Sequence, residues 1–231
     1  MDFLVSIKSS TMCCYKWKSI FMVASYIWSP AGHSSGSPPF LLYINDITAG
    51  ISSTIRLFAD DCIVYRVIKS DSDCSVLQSD INYMHCWALT WQMQFNSNKC
   101  HILSVGCRHK KLTPSYYLGS VKLSVVDSYP YLGVTISSDL RWDKHTSAVS
   151  HKATRTLNFV RRNIYGCTPD TKALAYTSLV RPLLEYAAAA WDPYRAKDIS
   201  KLDMGQRRAA RFVKSDYRRT TSVSGLIGEL D

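Results

Sequence analysis

The segment Ile55-Arg56-Leu57-Phe58-Ala59-Asp60-Asp61-Cys62-Ile63-Val64-Tyr65-Arg66 restricts the fold more than any other part of the chain. Two β-prone runs flank a short acidic turn, the pattern of a β-hairpin. Directly after it the apolar period changes. Leu77, Ile81, Met84, Ala88 and Trp91 are separated by steps of 4, 3, 4 and 3, which places them on one face of a helix from Asp71 to about Gln94. Asp71, Ser72 or Asp73 can supply its N-cap. Short β-type runs follow at Ile102–Val105, Tyr116–Leu118, Lys122–Val126 and Tyr131–Ile136, broken by Gly106, Pro114, Gly119 and Pro130, and these read as a small antiparallel element.

The remainder has helical spacing. One helix is expected from about Trp142 to Tyr165, with Val149, Ala153, Leu157, Val160 and Ile164 inward. A second opens with Thr168-Pro169-Asp170, a cap residue, a first-turn proline and a first-turn acid, and runs through Leu174, Val180, Leu184 and Ala187 to Trp191 with a kink at Pro182. A third spans about Ala196 to Lys214, with Ile199, Leu202, Ala209 and Val213 inward. The expected class is therefore α+β, with an α/β part over 36–140 and an all-helical part over 141–231. Residues 1–35 show no sustained helical or strand period and end in a loop-like Ser29-Pro30-Ala31-Gly32 run, so a poorly ordered, foreign leader is expected there. Phe40–Ile47 is an apolar run that can begin a short helix ending near Gly50.

Charge separates the two parts. Arg141 to Arg219 carries 17 Lys/Arg against 7 Asp/Glu, which accounts for the whole formal net charge of +10. Such a segment favours a polyanionic partner. Hydrophobic residues make up 46%, enough to bury a core and to exclude compositional disorder. None of the eight cysteines forms a C-x-x-C pair, so free thiols in a reducing, intracellular compartment are expected, nuclear or cytoplasmic. The apolar stretch Ile20–Trp28 has nine residues, too few to cross a bilayer, and no membrane partner is expected. With Lys8, Lys16 and Lys18 before it and Ala31-Gly32 after it, it loosely mimics a secretion signal.

Adjacent carboxylates at a hairpin tip suit a hard divalent cation such as Mg²⁺, which takes one or two carboxylates together with substrate phosphates. Two such ions can activate a 3′-hydroxyl and stabilise leaving pyrophosphate. Asp-Asp is also common in turns of no chemical role. The surrounding motifs bear on the choice. They are Gly36-Ser37-Pro38-Pro39-Phe40-Leu41-Leu42-Tyr43-Ile44-Asn45-Asp46-Ile47, Arg56-Leu57-Phe58-Ala59-Asp60-Asp61, Trp91 through Cys100, Tyr131-Leu132-Gly133-Val134-Thr135, Leu179 through Ala187, and Gln206 through Phe212. In order and spacing they resemble the reverse transcriptases of non-LTR (LINE-type) retrotransposons.

The resemblance implies a partial polymerase palm over 36–140, followed by a thumb-like helical region. It implies that Asp60 and Asp61 are the catalytic metal pair, with Asp60 the firmer ligand, and that Lys99 lies near the incoming triphosphate. An ammonium there can neutralise or protonate the leaving pyrophosphate; without that context Lys99 reads equally as a solvated strand-edge lysine. Tyr131-Leu132-Gly133 corresponds to the primer grip, or else to an ordinary glycine turn. Lys144, Lys152, Arg155, Arg161, Arg162, Arg207, Arg208 and Arg211, with Arg218 and Arg219, are candidates to track the phosphates of a template–primer duplex. Trp142 and Trp191 can stack on bases or pack helices. The implied partners are an RNA template, an RNA–DNA or DNA primer duplex and, in an intact parent, deoxynucleoside triphosphates.

The chain departs from the family upstream. The first catalytic aspartate belongs on an apolar strand tens of residues before Phe58, where the only acids are Asp2 and Asp46. The Pro-Gln-Gly stretch is missing from the Gly36 region, and no fingers region is recognised. Weak or absent Mg²⁺ binding, a palm sheet short of its central strand and no polymerase activity are expected. The alternatives are a non-catalytic nucleic-acid-binding remnant and, third, a secreted or membrane-associated protein.

Overall fold

The computed structural model describes residues 18–27 as backbone, and 44–106 and 114–218 in full. The described chain forms two compact units. One takes the residues up to Tyr129 together with Ser137–Leu140; the other takes Pro130–Ile136 and the residues from Arg141 onward.

The first unit is built on a six-stranded sheet. Its strands are β1 (Lys18–Ile27), β2 (Thr54–Phe58), β3 (Asp61–Ile68), β4 (Gln94–Phe95) and β5 (His101–Val105), with β6 (Tyr117–Leu118) and β7 (Val121–Lys122) forming a separate small hairpin and β8 (Ser124–Val126) returning to the main sheet. The order is β2-β3-β1-β5-β8. Strand β1 is central: it runs antiparallel to β3 from Lys18↔Ile68 to Ser25↔Asp61, and antiparallel to β5 from Ser19↔Val105 to Val23↔His101. Its last two residues pair with β4.

This corrects the sequence reading of residues 1–35. Ten of them form the strand that the sheet was expected to lack. The run Ile20-Phe21-Met22-Val23-Ala24 is continuously apolar and does not alternate, so period-two spacing did not mark it as a strand. The rest of the expected leader, and residues 36–43, which include the start of the apolar run Phe40–Ile47, lie outside the described residues. The later strands also differ from a purely antiparallel element, because β8 pairs with β5 in parallel. The run Tyr131–Ile136 is not one strand; it spans the turn between β9 (Ser128–Tyr131) and β10 (Val134–Ser137).

Helix α1 (Asp71–Thr90) covers the sheet and buries Leu77, Ile81, Met84 and Ala88 as their spacing requires. The core they enter includes Ile47, Cys62, Val64, Cys100 and Ile102. Trp91 lies past the helix end and is exposed, while Trp87 takes the inward place expected of it. Cys62 and Cys100 are buried thiols, whereas Cys86 and Cys167 are exposed. Ser70 is the N-cap residue. Asp73 accepts hydrogen bonds from the Lys69 and Ser70 amides and from Arg66 Nε. Those donors, the Lys69 amide foremost, hold its carboxyl down to about 2.

The second unit is helical: α2 (Asp143–Asn163), α3 (Pro169–Ala175), α4 (Arg181–Glu185), α5 (Ala188–Trp191) and α6 (Ala196–Lys214). Its core joins Ala153, Leu157 and Val160 of α2 to Tyr176, Val180, Leu184, Phe212 and Val213. The single kinked helix expected over 168–191 is instead divided. Tyr176–Val180 forms a π turn immediately before Pro182, which has no N–H to donate to the preceding turn. The chain breaks again at Ala187, which takes a left-handed conformation. Leu174, expected inward and placed on the helix before the π turn, is exposed, while Val180 and Leu184 are buried. On α6, Ile199 is likewise exposed, and Asp198 is buried in its place, accepting a hydrogen bond from the Lys201 ammonium. Among the described residues no helix is long and apolar enough to cross a membrane.

The loop entering the acidic hairpin is anchored by a buried acid. Asp80 of α1 accepts the Ser52 and Ser53 amides, each at 2.9 Å, one on each carboxylate oxygen. Replacing it leaves two amides without acceptors beside the core. Asp80→Ala is expected to lower stability by roughly 2–3 kcal/mol, read as a shift of the denaturant midpoint at unchanged m-value.

Candidate functional site

The acidic hairpin closes on the Phe58↔Asp61 pair, which leaves Ala59 and Asp60 as a two-residue loop. Ala59 adopts φ 51°, a left-handed conformation that costs a side-chain-bearing residue about 1 kcal/mol. Asp60 is fully at the tip and exposed; Asp61 is the half-buried first residue of β3. Ser25 is the β1 residue in register with Asp61.

Lys99 ends the 3-10 turn Ser97–Lys99 and is exposed. Its carbonyl accepts a hydrogen bond from the Tyr129 hydroxyl at 3.2 Å. Tyr129 packs against the His101 ring, with centroids 5.4 Å apart. Burial pushes its phenol above the ordinary value, and the Asp61 charge adds to the shift. Tyr129 thus holds the backbone at Lys99, one of the expected site residues. Nothing in its own spacing marked it; the one signal was its position just before Pro130-Tyr131.

Asp60 and Asp61, adjacent at the hairpin, are chemically suited to one hydrated divalent ion. Two adjacent carboxylates are an ordinary protein contribution for Mg²⁺. Among the described residues no group of three or more His, Cys, Asp or Glu side chains converges. The strand beside Asp61 reads Lys-Ser-Ile-Phe-Met-Val-Ala-Ser-Tyr-Ile and has no carboxylate in its sequence.

In the helical unit, Tyr131 is buried at the end of β9, and Leu132-Gly133 make the turn into β10 with φ 47° and 78°. Both central residues being left-handed is the mark of a type I′ hairpin turn. The Tyr186 hydroxyl donates to the Leu132 carbonyl at 3.1 Å, and a Cβ on Gly133 would stand 3.1 Å from the Tyr186 ring. Glycine is needed there twice over, for the angle and for the approach. Two of the quoted motifs, Tyr131–Thr135 and Leu179–Ala187, therefore meet at this contact.

His145 is buried with 3% of its surface exposed. Its Nδ1 accepts the Thr135 amide at 3.2 Å, and its ring lies edge-on to Trp191, centroids 4.6 Å apart, and to Trp142. Accepting at Nδ1 places the proton of the neutral ring on Nε2. Trp142 and Trp191 are buried and serve packing. A cavity of about 510 Å³ opens beside this contact, lined by Gly133, Thr135, Ala148, Lys152, Leu183 and Tyr186 among others.

Lys144, Lys152, Arg155 and Arg162 are exposed along α2 at steps of 8, 3 and 7, opposite its buried Ala153, Leu157 and Val160. Arg161 is turned aside, half-buried, with its guanidinium 6.0 Å from the Phe212 ring. Arg207 and Arg208 are exposed on α6; Arg211 is half-buried near its end. Arg218 pairs with Asp216, and Arg219 lies outside the described residues. Lys172, one of the cations counted above, is buried, donates to Ser215 Oγ and faces the Tyr165 and Phe212 rings.

Two measurements check this geometry. Ala59→Gly relieves the left-handed strain and is expected to stabilise the first unit by about 0.5–1 kcal/mol in chemical denaturation. His145 is held by burial below the ordinary imidazole value near 6.5. Its contribution to stability is therefore complete above that value and declines as pH falls below it, because the unfolded chain binds the proton more readily. The unfolding midpoint should drop between pH 7.5 and 5, and His145→Phe should flatten that part of the profile.

No protein-family model matches the chain. Curated relatives do. It is 23% identical over 197 residues, 80% of its length, to a probable RNA-directed DNA polymerase from the transposon X-element of Drosophila melanogaster. It is 25% identical over 179 residues, 73% of its length, to the RNA-directed DNA polymerase from the mobile element jockey of Drosophila funebris. The jockey polymerase of Drosophila melanogaster gives 25% over 178 residues. The chain spans about a fifth of the length of these relatives, 21%, 19% and 19%. The chain is thus similar to the RNA-directed DNA polymerases of Drosophila mobile elements, in line with the reverse-transcriptase resemblance of its sequence motifs.

Proposed function

We propose that this chain is a reverse-transcriptase fragment that binds nucleic acid through its helical unit and does not polymerise. The observation that carries the reading is the exposed row Lys144, Lys152, Arg155 and Arg162 on one face of α2. Cations on one rigid face neutralise successive phosphates without reading sequence. RNA templates and RNA–DNA or DNA primer duplexes are the ligands of this reading, and deoxynucleoside triphosphates those of an intact parent. In that parent, two-metal nucleotidyl transfer would rest on the Asp60–Asp61 hairpin.

In this chain Asp60 and Asp61 would hold one Mg²⁺ weakly, and that ion would supply Lewis acidity toward phosphate oxygens. A second ion needs a further carboxylate, and β1, the strand paired with Asp61, contains none. Lys99, kept in place by Tyr129, would face the polyphosphate. The Tyr131-Leu132-Gly133 turn would support the primer end.

Two experiments test this. Affinity for a duplex is expected to fall with log salt at a slope near −3 to −4, about −0.9 for each of the four cations, and Lys152→Ala with Arg155→Ala should flatten it by about two units. Binding indifferent to salt contradicts the reading. Primer extension with Mg²⁺ or Mn²⁺ is expected to yield no product; extension that Asp60→Ala abolishes would show catalysis instead.

A further inference from the structure

The cavity beside the Leu132-Gly133 turn has a composition that the phosphate-binding role does not explain. It measures about 510 Å³, and its walls are mainly apolar, from Ala148 and Val149 of α2 and Pro182 and Leu183 of α4. Lys152 stands among them, and no carboxylate does. Ala148 and Lys152 belong to the same exposed face of α2 as Lys144 and Arg155. The cavity therefore interrupts the row of cations, and does not lie apart from it.

Tyr186 is the second observation. It lines the cavity and is 58% exposed, yet it is not loose. Its hydroxyl is tied to the Leu132 carbonyl, and its ring lies against Gly133 closely enough that a Cβ there would stand 3.1 Å away. A tyrosine fixed at its polar end with much of its ring open to solvent is a pre-organised stacking surface, because little rotamer freedom remains to be lost on binding. Aromatic faces beside a cationic track are how single-stranded nucleic acid is held without sequence choice.

We propose that this cavity receives one unstacked base of a nucleic-acid strand, stacked on Tyr186, while Lys152 and its neighbours along α2 take the phosphates on either side. The proposal rests on the nucleic-acid reading above and adds to it a base-dependent contact. An apolar or acidic peptide would use the walls and Lys152 equally, but it would leave the line of cations beyond the cavity, Arg155 and Arg162, without a role.

The test compares the full chain's affinity for a short single strand with its affinity for the same sugar–phosphate strand lacking bases. The wild type is expected to bind the base-containing strand roughly tenfold more tightly. That ratio should fall to one in Tyr186→Leu and remain high in Tyr186→Phe, which keeps the ring. Ala148→Met extends an aliphatic side chain into the cavity from an exposed helix position, offers no ring to stack on and removes no cation; it should abolish the preference while leaving the salt slope unchanged. Circular dichroism establishes that each variant is folded, and Ala148→Met decides the matter if Tyr186→Leu is not. A 2-aminopurine placed along the strand should be quenched on binding in the wild type and in Tyr186→Phe, and not in Tyr186→Leu. Equal affinity for both strands with a steep salt slope overturns the base site and leaves the phosphate reading standing. Absence of binding to either strand overturns both. A preference that survives in folded Ala148→Met overturns the cavity as its location.

Discussion

Backbone pairing of Lys18–Ile27 joins the sheet of the first unit. Strand β3 contacts the strand on one side and β5 on the other, so the acidic hairpin and the segment leading to Lys99 are held in one sheet only through it. Local hydrogen bonds fix the hairpin's own shape, but its position relative to Tyr129, Lys99 and the core under α1 depends on this non-local ladder. The same ladder decides what chemistry is possible. Ser25 stands in register with Asp61, so the strand completes the sheet without supplying an acid beside the hairpin.

The helical unit is organised around a different contact. The type I′ turn at Leu132-Gly133 is clamped by Tyr186, and the strand leaving it is tied by the Thr135 amide to buried His145. These bonds join a hairpin to α2 and to the segment after α4 using a neutral imidazole and a phenol. No charge is buried at that junction, so the unit's cations are left for the surface. The exceptions are instructive. Lys172 is taken into an aromatic setting beside the α6 C-terminus, where a positive charge is favoured, and Lys201 is neutralised by Asp198. Net charge counted along the sequence therefore overstates the charge available to a polyanion.

What was legible in the sequence was local. The acidic hairpin, α1, α2 and α6 follow from alternation or from 3.6-residue spacing, and their buried faces are largely those expected. Strand β1 was not legible, because it does not alternate and its partner Asp61 lies far along the chain from Ser25. The turn within Tyr131–Ile136 carried one glycine, but nothing marked Leu132 as left-handed. Pro182 announced a disturbance without revealing that a π turn would absorb it. At the site, Asp60, Asp61 and Lys99 came from the family resemblance; Tyr129, His145 and Tyr186 became visible only when distant segments were brought together.

Amide hydrogen exchange along Lys18–Ile27 tests the central claim most directly. Amides of a strand hydrogen-bonded on both sides exchange only through large openings. Phe21, Met22 and Val23, paired with both β3 and β5, should be protected to the same degree as Ile63 and Val64 of β3. Exchange of those three amides at the rate of an unstructured chain, with β3 still protected, would contradict it.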